Sequence, residues 1–351
     1  MNEKGKPENP LVHAEAPGLA ETRKSDHIEL AFRARTESSE LDRRFYYEPL
    51  LSSHPDSGSL KPFTFLGKTL NTPIWVSSMT GGAQLAFHIN TVLAKACNRY
   101  GMGMGLGSCR ALLTSDEHIA DFDVRDLLGY ELPLYANLGI AQVEKLLDQG
   151  ALQLIDDLIL RLRADGLIIH LNPMQEWFQP EGDRIQKAPL HTLQQLLHKA
   201  TYPIIVKEVG QGMGYQSLKH LLHLPLAAVD FGAAGGTNFA LLENLRRGNI
   251  NKDYWAPLVK IGHDAEEMVG WVNAIKEETK GKLSCQQIII SGGIKDFLDG
   301  YYLMQKSTLP AIYGQASGLL NAALEGDLAL DAFLQAQIRG LEMAQAFLMV
   351  K

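Results

Sequence analysis

The sequence predicts a (β/α)8 barrel forming a single α/β domain. Eight short β-type runs alternate with helical patterns, at residues 73–79, 102–107, 132–138, 166–172, 203–209, 227–233, 287–293 and 311–316. Most are continuously apolar, as strands covered on both faces must be. Every run ends in small or polar residues, and in a barrel all those ends converge on one face. Helical patterns at 88–100, 143–149, 190–199, 240–247, 265–279 and 299–305 supply the crossovers. The stretch from Asn238 to Lys282 is long for a sixth crossover and predicts more than one helix.

The bulk properties exclude several classes of protein. The chain has 351 residues, 46% hydrophobic and 21% charged, which is the balance of a globular protein with a substantial core. No apolar run approaches the roughly 20 residues of a membrane helix. Residues 1–22 are polar, with Pro7, Pro10 and Pro17 and no apolar secretory core, so they read as a flexible leader of a cytoplasmic protein. Residues 23–351 make up the barrel domain. The formal charge of −7 argues against nucleic acid as a partner and leaves room for an anionic small ligand. Three widely spaced cysteines, Cys97, Cys109 and Cys285, form no zinc or redox pattern and suit a reducing compartment.

Taken in order, the strand ends read Ser77-Ser78-Met79-Thr80-Gly81-Gly82, Gly107-Ser108-Cys109-Arg110, Asn137-Leu138-Gly139 and His170-Leu171-Asn172 with Gln175-Glu176. The remaining four read Lys207-Glu208-Val209-Gly210, Gly235-Gly236-Thr237, Ser291-Gly292-Gly293 and Gly314-Gln315-Ala316-Ser317. Glycines after three consecutive strands let backbone N–H groups approach a phosphate, and a following helix N-terminus adds its dipole. Tight turns want glycine too, but the last strands of a barrel recurrently hold phosphate.

Lys207 ends an apolar strand, so its ammonium should face the barrel mouth and needs an anionic or electron-rich partner, such as the N1/O2 edge of a flavin. Glu208 points to the opposite face. Ser78, Met79, Thr80, Ser108 and Asn137 suit the polar edge and flat face of an isoalloxazine ring. Glu176 is a hard oxygen ligand for Mg²⁺, or a surface ion-pair partner. Gln175 cannot titrate, so it would orient a substrate. His170 reads equally as an acid/base, a phosphate donor or a hydrogen-bonded core residue. Arg23, Lys24 and His27, clustered before the barrel, could clamp a diphosphate, with Arg110 as a second guanidinium.

These motifs resemble the type 2, flavin-dependent isopentenyl-diphosphate Δ-isomerases from about Arg23 to the last strand. The similarity is carried by Arg23-Lys24-x-x-His27-Ile28, Met79-Thr80-Gly81-Gly82, Gly107-Ser108-x-Arg110, Asn137-Leu138-Gly139, His170-Leu171-Asn172-x-x-Gln175-Glu176, Pro180-Glu181-Gly182-Asp183, Lys207-Glu208-Val209-Gly210, Gly235-Gly236-Thr237 and Ser291-Gly292-Gly293-Ile294. The resemblance implies FMN, Mg²⁺, NADPH as reductant, isopentenyl and dimethylallyl diphosphate as substrate and product, and a homo-oligomer, tetramer or octamer. It implies that Met79, Thr80, Gly81, Ser108, Asn137, Lys207, Thr237, Gly292, Gly293, Ala316 and Ser317, beside Ser78, line the flavin. It places Arg23, Lys24, Ser108 and Arg110 on the diphosphate, with His27 and Cys109 in the same region. His170, Asn172 and Gln175 would act at the reacting end, and Glu176 would hold the metal. The implied reaction transposes a double bond with no net redox, the reduced flavin handling the protons.

The chain departs from the pattern at Cys109, where glutamine is usual, at Ala233, at Lys295 and at Phe297. An FMN-dependent 2-hydroxy-acid oxidoreductase is the alternative. It shares the barrel and flavin lysine but needs a histidine base near the seventh strand, where Ser291 and Lys295 stand.

Overall fold

The computed structural model describes residues 26–78, 80, 85–246 and 255–351. Its central strands are β1 (Ile74–Val76), β2 (Gly103–Gly105), β3 (Leu134–Gly139), β4 (Gly166–Leu171), β5 (Ile204–Glu208), β6 (Ala228–Asp230), β7 (Ile288–Ser291) and β8 (Ala311–Gln315). Seven predicted runs contain one of them, and the third, 132–138, stops one residue short of the end of β3. The strands pair in parallel in chain order, and β8 pairs back on β1 to close the barrel.

Glycines inside the barrel explain how its largest side chains fit. Trp75 is fully buried, lies in register with Gly103, and meets the Tyr135 ring edge-on at 6.2 Å. A Cβ at Gly103 would fall 2.3 Å from the indole, and one at Gly166 2.6 Å from the Tyr135 ring. These strand glycines weaken β propensity but leave the space that two aromatic rings fill.

The six predicted helices are present as Ala86–Tyr100, Ile140–Asp148, Pro189–Leu197, Phe239–Arg246, Ala265–Glu278 and Phe297–Lys306. As expected, the connection from β6 to β7 carries two helices. The second, Ala265–Glu278, is started by Asp264, whose carboxylate accepts the Glu267 N–H at 2.8 Å. Helices at Gln153–Leu162, Pro173–Phe178, Tyr215–His223, Ser317–Glu325 and Asp327–Phe347 add to the predicted set. The last of these settles the fit of Phe297. A Cβ at Gly340 would fall 2.5 Å from that ring, so glycine there makes room for the bulky residue.

At the strand starts, an antiparallel hairpin (Phe63–Phe65 with Lys68–Leu70) covers the barrel floor. Lys68 pairs with Asp165 at 2.5 Å, and the other Asp165 oxygen accepts from Arg125 and from the Leu134 N–H, both at 2.8 Å. Arg125, fully buried, also donates to the carbonyls of Gly129, Leu132 and Arg163. A charge this deep is tolerated because its donors are answered.

The described residues fall into two compact units: residues 47–350, which hold the barrel, and residues 26–46 with Lys351. In the smaller unit a helical turn over 26–30 closes with the Ala31 N–H on the His27 carbonyl at 3.0 Å. Among the described residues no helix is long and apolar enough to cross a membrane.

Candidate active site

The barrel mouth is where polar groups accumulate. Five buried side-chain atoms there, Ser77 Oγ, Ser78 Oγ, Asn172 Oδ1, Asp230 Oδ2 and Gln315 Oε1, make no hydrogen bond with the described residues. An unpaired buried polar atom costs about 1–3 kcal/mol, so several at one strand-end face point to a ligand that answers them. Ser78 also holds a positive φ of 21°, a conformation non-glycine residues avoid unless their surroundings impose it.

On the β2–β4 side, β4 carries His170 one residue before its end at Leu171 and passes through Asn172 into the helix Pro173–Phe178. Proline opens that helix, where its missing N–H is not needed. Phe178 packs against Ala240 and Val259, which fixes the helix over the mouth. Asn172 and Glu176, four residues apart, share one helix face. The Asn172 amide donates to Glu176 Oε1 at 3.0 Å and to Gln175 Oε1 at 3.2 Å. Glu176 Oε2 accepts the Asp183 N–H at 2.7 Å. The Asp183 side chain in turn takes the Gln142 amide and the Arg110 guanidinium, each at 2.8 Å. Arg110 is 56% exposed in its side chain, so this pair is worth little and can yield to a stronger anion.

His170 is assigned one tautomer by its neighbour. Asn137 Nδ2 donates to the Leu106 carbonyl at 3.0 Å, which leaves Asn137 Oδ1 facing His170 Nδ1 at 2.8 Å. Nδ1 therefore carries the proton, and Nε2 is a bare acceptor. Burial first, and the Lys207 charge second, push the imidazole pKa down to about 4. His170 is neutral at pH 7 in this environment and presents its Nε2 lone pair.

On the β5–β8 side, Lys207 is buried with its Nζ 3.5 Å from Asp230 Oδ2 of the next strand. Glu208 turns the other way, and its Oε2 accepts the N–H groups of Gly210, Gln211 and Gly212 at 2.7, 2.6 and 3.0 Å. Its pKa is raised because desolvation outweighs those three bonds. The expected opposite orientation of the two residues holds, but the lysine's partner is Asp230, which the strand-end reading missed. An acid between the apolar Ala227-Ala228-Val229 and Phe231 was the signal that could have found it.

The turns after β6 and β7 press backbone on backbone. Gly235, Gly292 and Gly293 have φ of 109°, 88° and 73°, and a Cβ at Gly292 would fall 2.0 Å from the Ala233 carbonyl oxygen. Thr237, Ala316 and Ser317 are exposed at the same rim. The helix Ser317–Glu325 starts there with no side-chain cap, whereas Asp296 caps the helix Phe297–Lys306 by accepting from Leu298 and Asp299 N–H groups. The free N–H groups of the first suit a phosphate.

Ser108 is exposed and Thr80 half-buried at the mouth. Cys109 departs from the expected substrate contact. Its side chain is fully buried, the thiol faces the Gly107 carbonyl at 3.4 Å, and burial pushes its pKa up to about 12. Met79, Gly81, Arg23 and Lys24 lie outside the described residues, and His27 belongs to the smaller unit. Among the described residues no three His, Cys, Asp or Glu side chains gather to hold a metal, so Glu176 stands as one carboxylate.

No family model matches the chain. Solved structures of flavocytochrome b2 (a variant with sulfite bound; TM-score 0.57, 14% identity, 86% of this chain and 72% of the other) and of mandelate oxidase (a variant with a monooxide FMN adduct; TM-score 0.51, 12% identity, 88% of each chain) share the fold. Curated relatives are closer in sequence. The isopentenyl-diphosphate delta-isomerase of Rickettsia felis is 34% identical over 331 residues, covering 92% of this chain and 90% of the relative. That of Rickettsia akari is 33% identical over 311 residues, covering 86% and 85%. At that identity over nearly the whole length of both chains, this chain is an enzyme of the isopentenyl-diphosphate delta-isomerase family.

Proposed function

We propose that the chain interconverts isopentenyl and dimethylallyl diphosphate as a flavin-dependent, type 2 member of its family, with FMN and Mg²⁺ and with NADPH as the reductant. The observation that carries this reading is the divided mouth. One side offers buried Lys207 and two glycine turns beside an uncapped helix N-terminus. The other offers Arg110, Asn172, Gln175 and Glu176, joined through Asp183 in one hydrogen-bonded group, and His170 held by Asn137.

The residues present fit both groups. Unpaired Ser78 Oγ and Gln315 Oε1, with Lys207, would meet a flavin's polar edge, while Gly292, Gly293, Ala316, Ser317 and Thr237 would hold its phosphate. A single carboxylate is what Mg²⁺ takes when substrate phosphates complete its shell, and each Glu176 oxygen keeps a lone pair beyond the bond it accepts. Bound reduced flavin supplies proton transfer to and from carbons too weakly basic for these side chains.

The chain's own residues bind and orient. Arg110 exchanges Asp183 for the diphosphate, with Ser108 beside it. Asn172 holds Gln175 and Glu176 at fixed distance, so metal and substrate are set together. Gln175 offers an uncharged amide to the hydrocarbon end, and neutral His170 leaves Nε2 free to accept a proton. Anchoring the diphosphate far from the reacting carbons converts binding energy into orientation. A homo-oligomeric state belongs to the same reading.

Anaerobic turnover of isopentenyl diphosphate with FMN, Mg²⁺ and NADPH tests the reading. Many product molecules per NADPH consumed, lost on chelating the metal, are expected. A yellow protein without product overturns it, and bleaching by 2-hydroxy acids would turn the assignment to the oxidoreductase alternative.

A further inference from the structure

Asp230 is a buried charge that no step above uses. It lies in β6, in register with Lys207 of β5, which is itself in register with His170 of β4. Residues in register on adjacent parallel strands face the same side, so three titratable side chains form one row across the barrel. Asp230 is 0% exposed. Its Oδ1 accepts from the Ser291 hydroxyl, and Ser291 Oγ accepts the Gly232 N–H at 2.9 Å. Its Oδ2 has no hydrogen-bond donor and stands 3.5 Å from Lys207 Nζ.

Stability does not ask for this arrangement. Desolvating a carboxylate costs several kcal/mol, and an apolar residue replacing a buried pair is often neutral or better. The neighbours Ala228, Val229 and Phe231 are apolar and fully buried, so an aliphatic residue would suit the position if Lys207 were apolar as well. What the carboxylate does accomplish is electrostatic. It restrains the ammonium and cancels part of its field toward the mouth.

We propose that Asp230 is the positioning residue for Lys207 and sets how much of the lysine's positive charge reaches a flavin ring at the mouth. This rests on the flavin reading above. Through Ser291 and Gly232 the same carboxylate ties that setting to the β6 and β7 turns that would hold the flavin phosphate. Electron density gained by the ring then meets a partly neutralised cation.

Sulfite reports this charge directly. Its sulfur lone pair forms a bond to flavin N5, and the displaced electron pair becomes negative charge at the N1–C2=O edge, with bleaching of the visible band. In the FMN-reconstituted protein, Asp230→Asn keeps the size of the side chain and an acceptor for Ser291 but uncovers the Lys207 charge. Sulfite should bind about tenfold more tightly, equivalent to about 30 mV for a two-electron couple. Asp230→Glu should return to within about threefold of wild type, and in a Lys207→Met background Asp230→Asn should change little, because the effect runs through the lysine.

Unchanged or weaker sulfite binding in Asp230→Asn overturns the proposal, as does a tenfold gain that persists without Lys207. If Asp230→Asn fails to fold, Ser291→Ala decides. It leaves the carboxylate less dispersed, so sulfite should bind more weakly, and no change overturns the assignment. A wild-type chain that binds no FMN would sink the flavin reading and this inference together, whereas bound FMN with unaltered sulfite affinity in the variant sinks this inference alone.

Discussion

His170 shows how a single residue takes its chemical character from its neighbours. Three readings were open for it from the sequence, and the Leu106–Asn137–His170 chain of hydrogen bonds selects the Nδ1–H tautomer. Its folded pKa of about 4 lies below the roughly 6.5 of an unfolded histidine, so the unfolded chain takes up the proton first. The stabilisation is complete above about pH 6.5 and is lost as pH falls toward 4. Urea midpoints measured between pH 7 and 5 should therefore drop more steeply for wild type than for His170→Gln, and parallel curves would contradict the assigned environment. Cys109 makes the complementary point. A residue beside two mouth residues in the chain turns its thiol inward, because the Cys109 N–H is committed to the Asn137 carbonyl at 2.8 Å.

Elements were legible where pattern and environment agree. A strand covered on both faces is apolar over most of its length, and each of the eight runs holds a strand. The helices Pro173–Phe178 and Tyr215–His223 were less legible, since a short helix with Met174, Gln175 and Glu176 in sequence has too few turns to show a period. Strand glycines are read correctly only with their partners in view. Gly103→Ala should cost about 2–3 kcal/mol, because its Cβ would overlap the Trp75 ring, with Pro133 close on the other side. Urea denaturation measures that cost, and Trp75→Phe in the same chain should recover part of it by withdrawing the outer ring. Independent, additive losses would show that the clash is relieved elsewhere.

At the scale of the whole barrel, the two ends divide the work. The mouth carries five of the eight unpaired buried polar atoms among the described residues, while the floor carries Asp165 with Arg125, Lys68 and the Leu134 N–H all satisfied. Asp165→Ala leaves the fully buried Arg125 without its carboxylate and should cost about 3 kcal/mol. Calorimetry should find a lower Tm, with turnover at 25 °C retained, because Asp165 is at the opposite end from the site. A loss of turnover without loss of Tm would contradict that division.

The amino-acid sequence was sufficient for the barrel, its strand order and the residue types at its mouth, because apolar strands and their polar ends are local patterns that any covered parallel strand must show. It could not say which polar group answers which. That Lys207 faces Asp230, that Arg110 shares Asp183 with Gln142, and that Gly340 makes room for Phe297 are matters of register and packing between distant segments. Such pairings form only when the sheet closes and side chains compete for the same enclosed volume. The protonation and pairing of the mouth groups are decided at that level, where desolvation and neighbouring charge act on residues that the chain order keeps far apart.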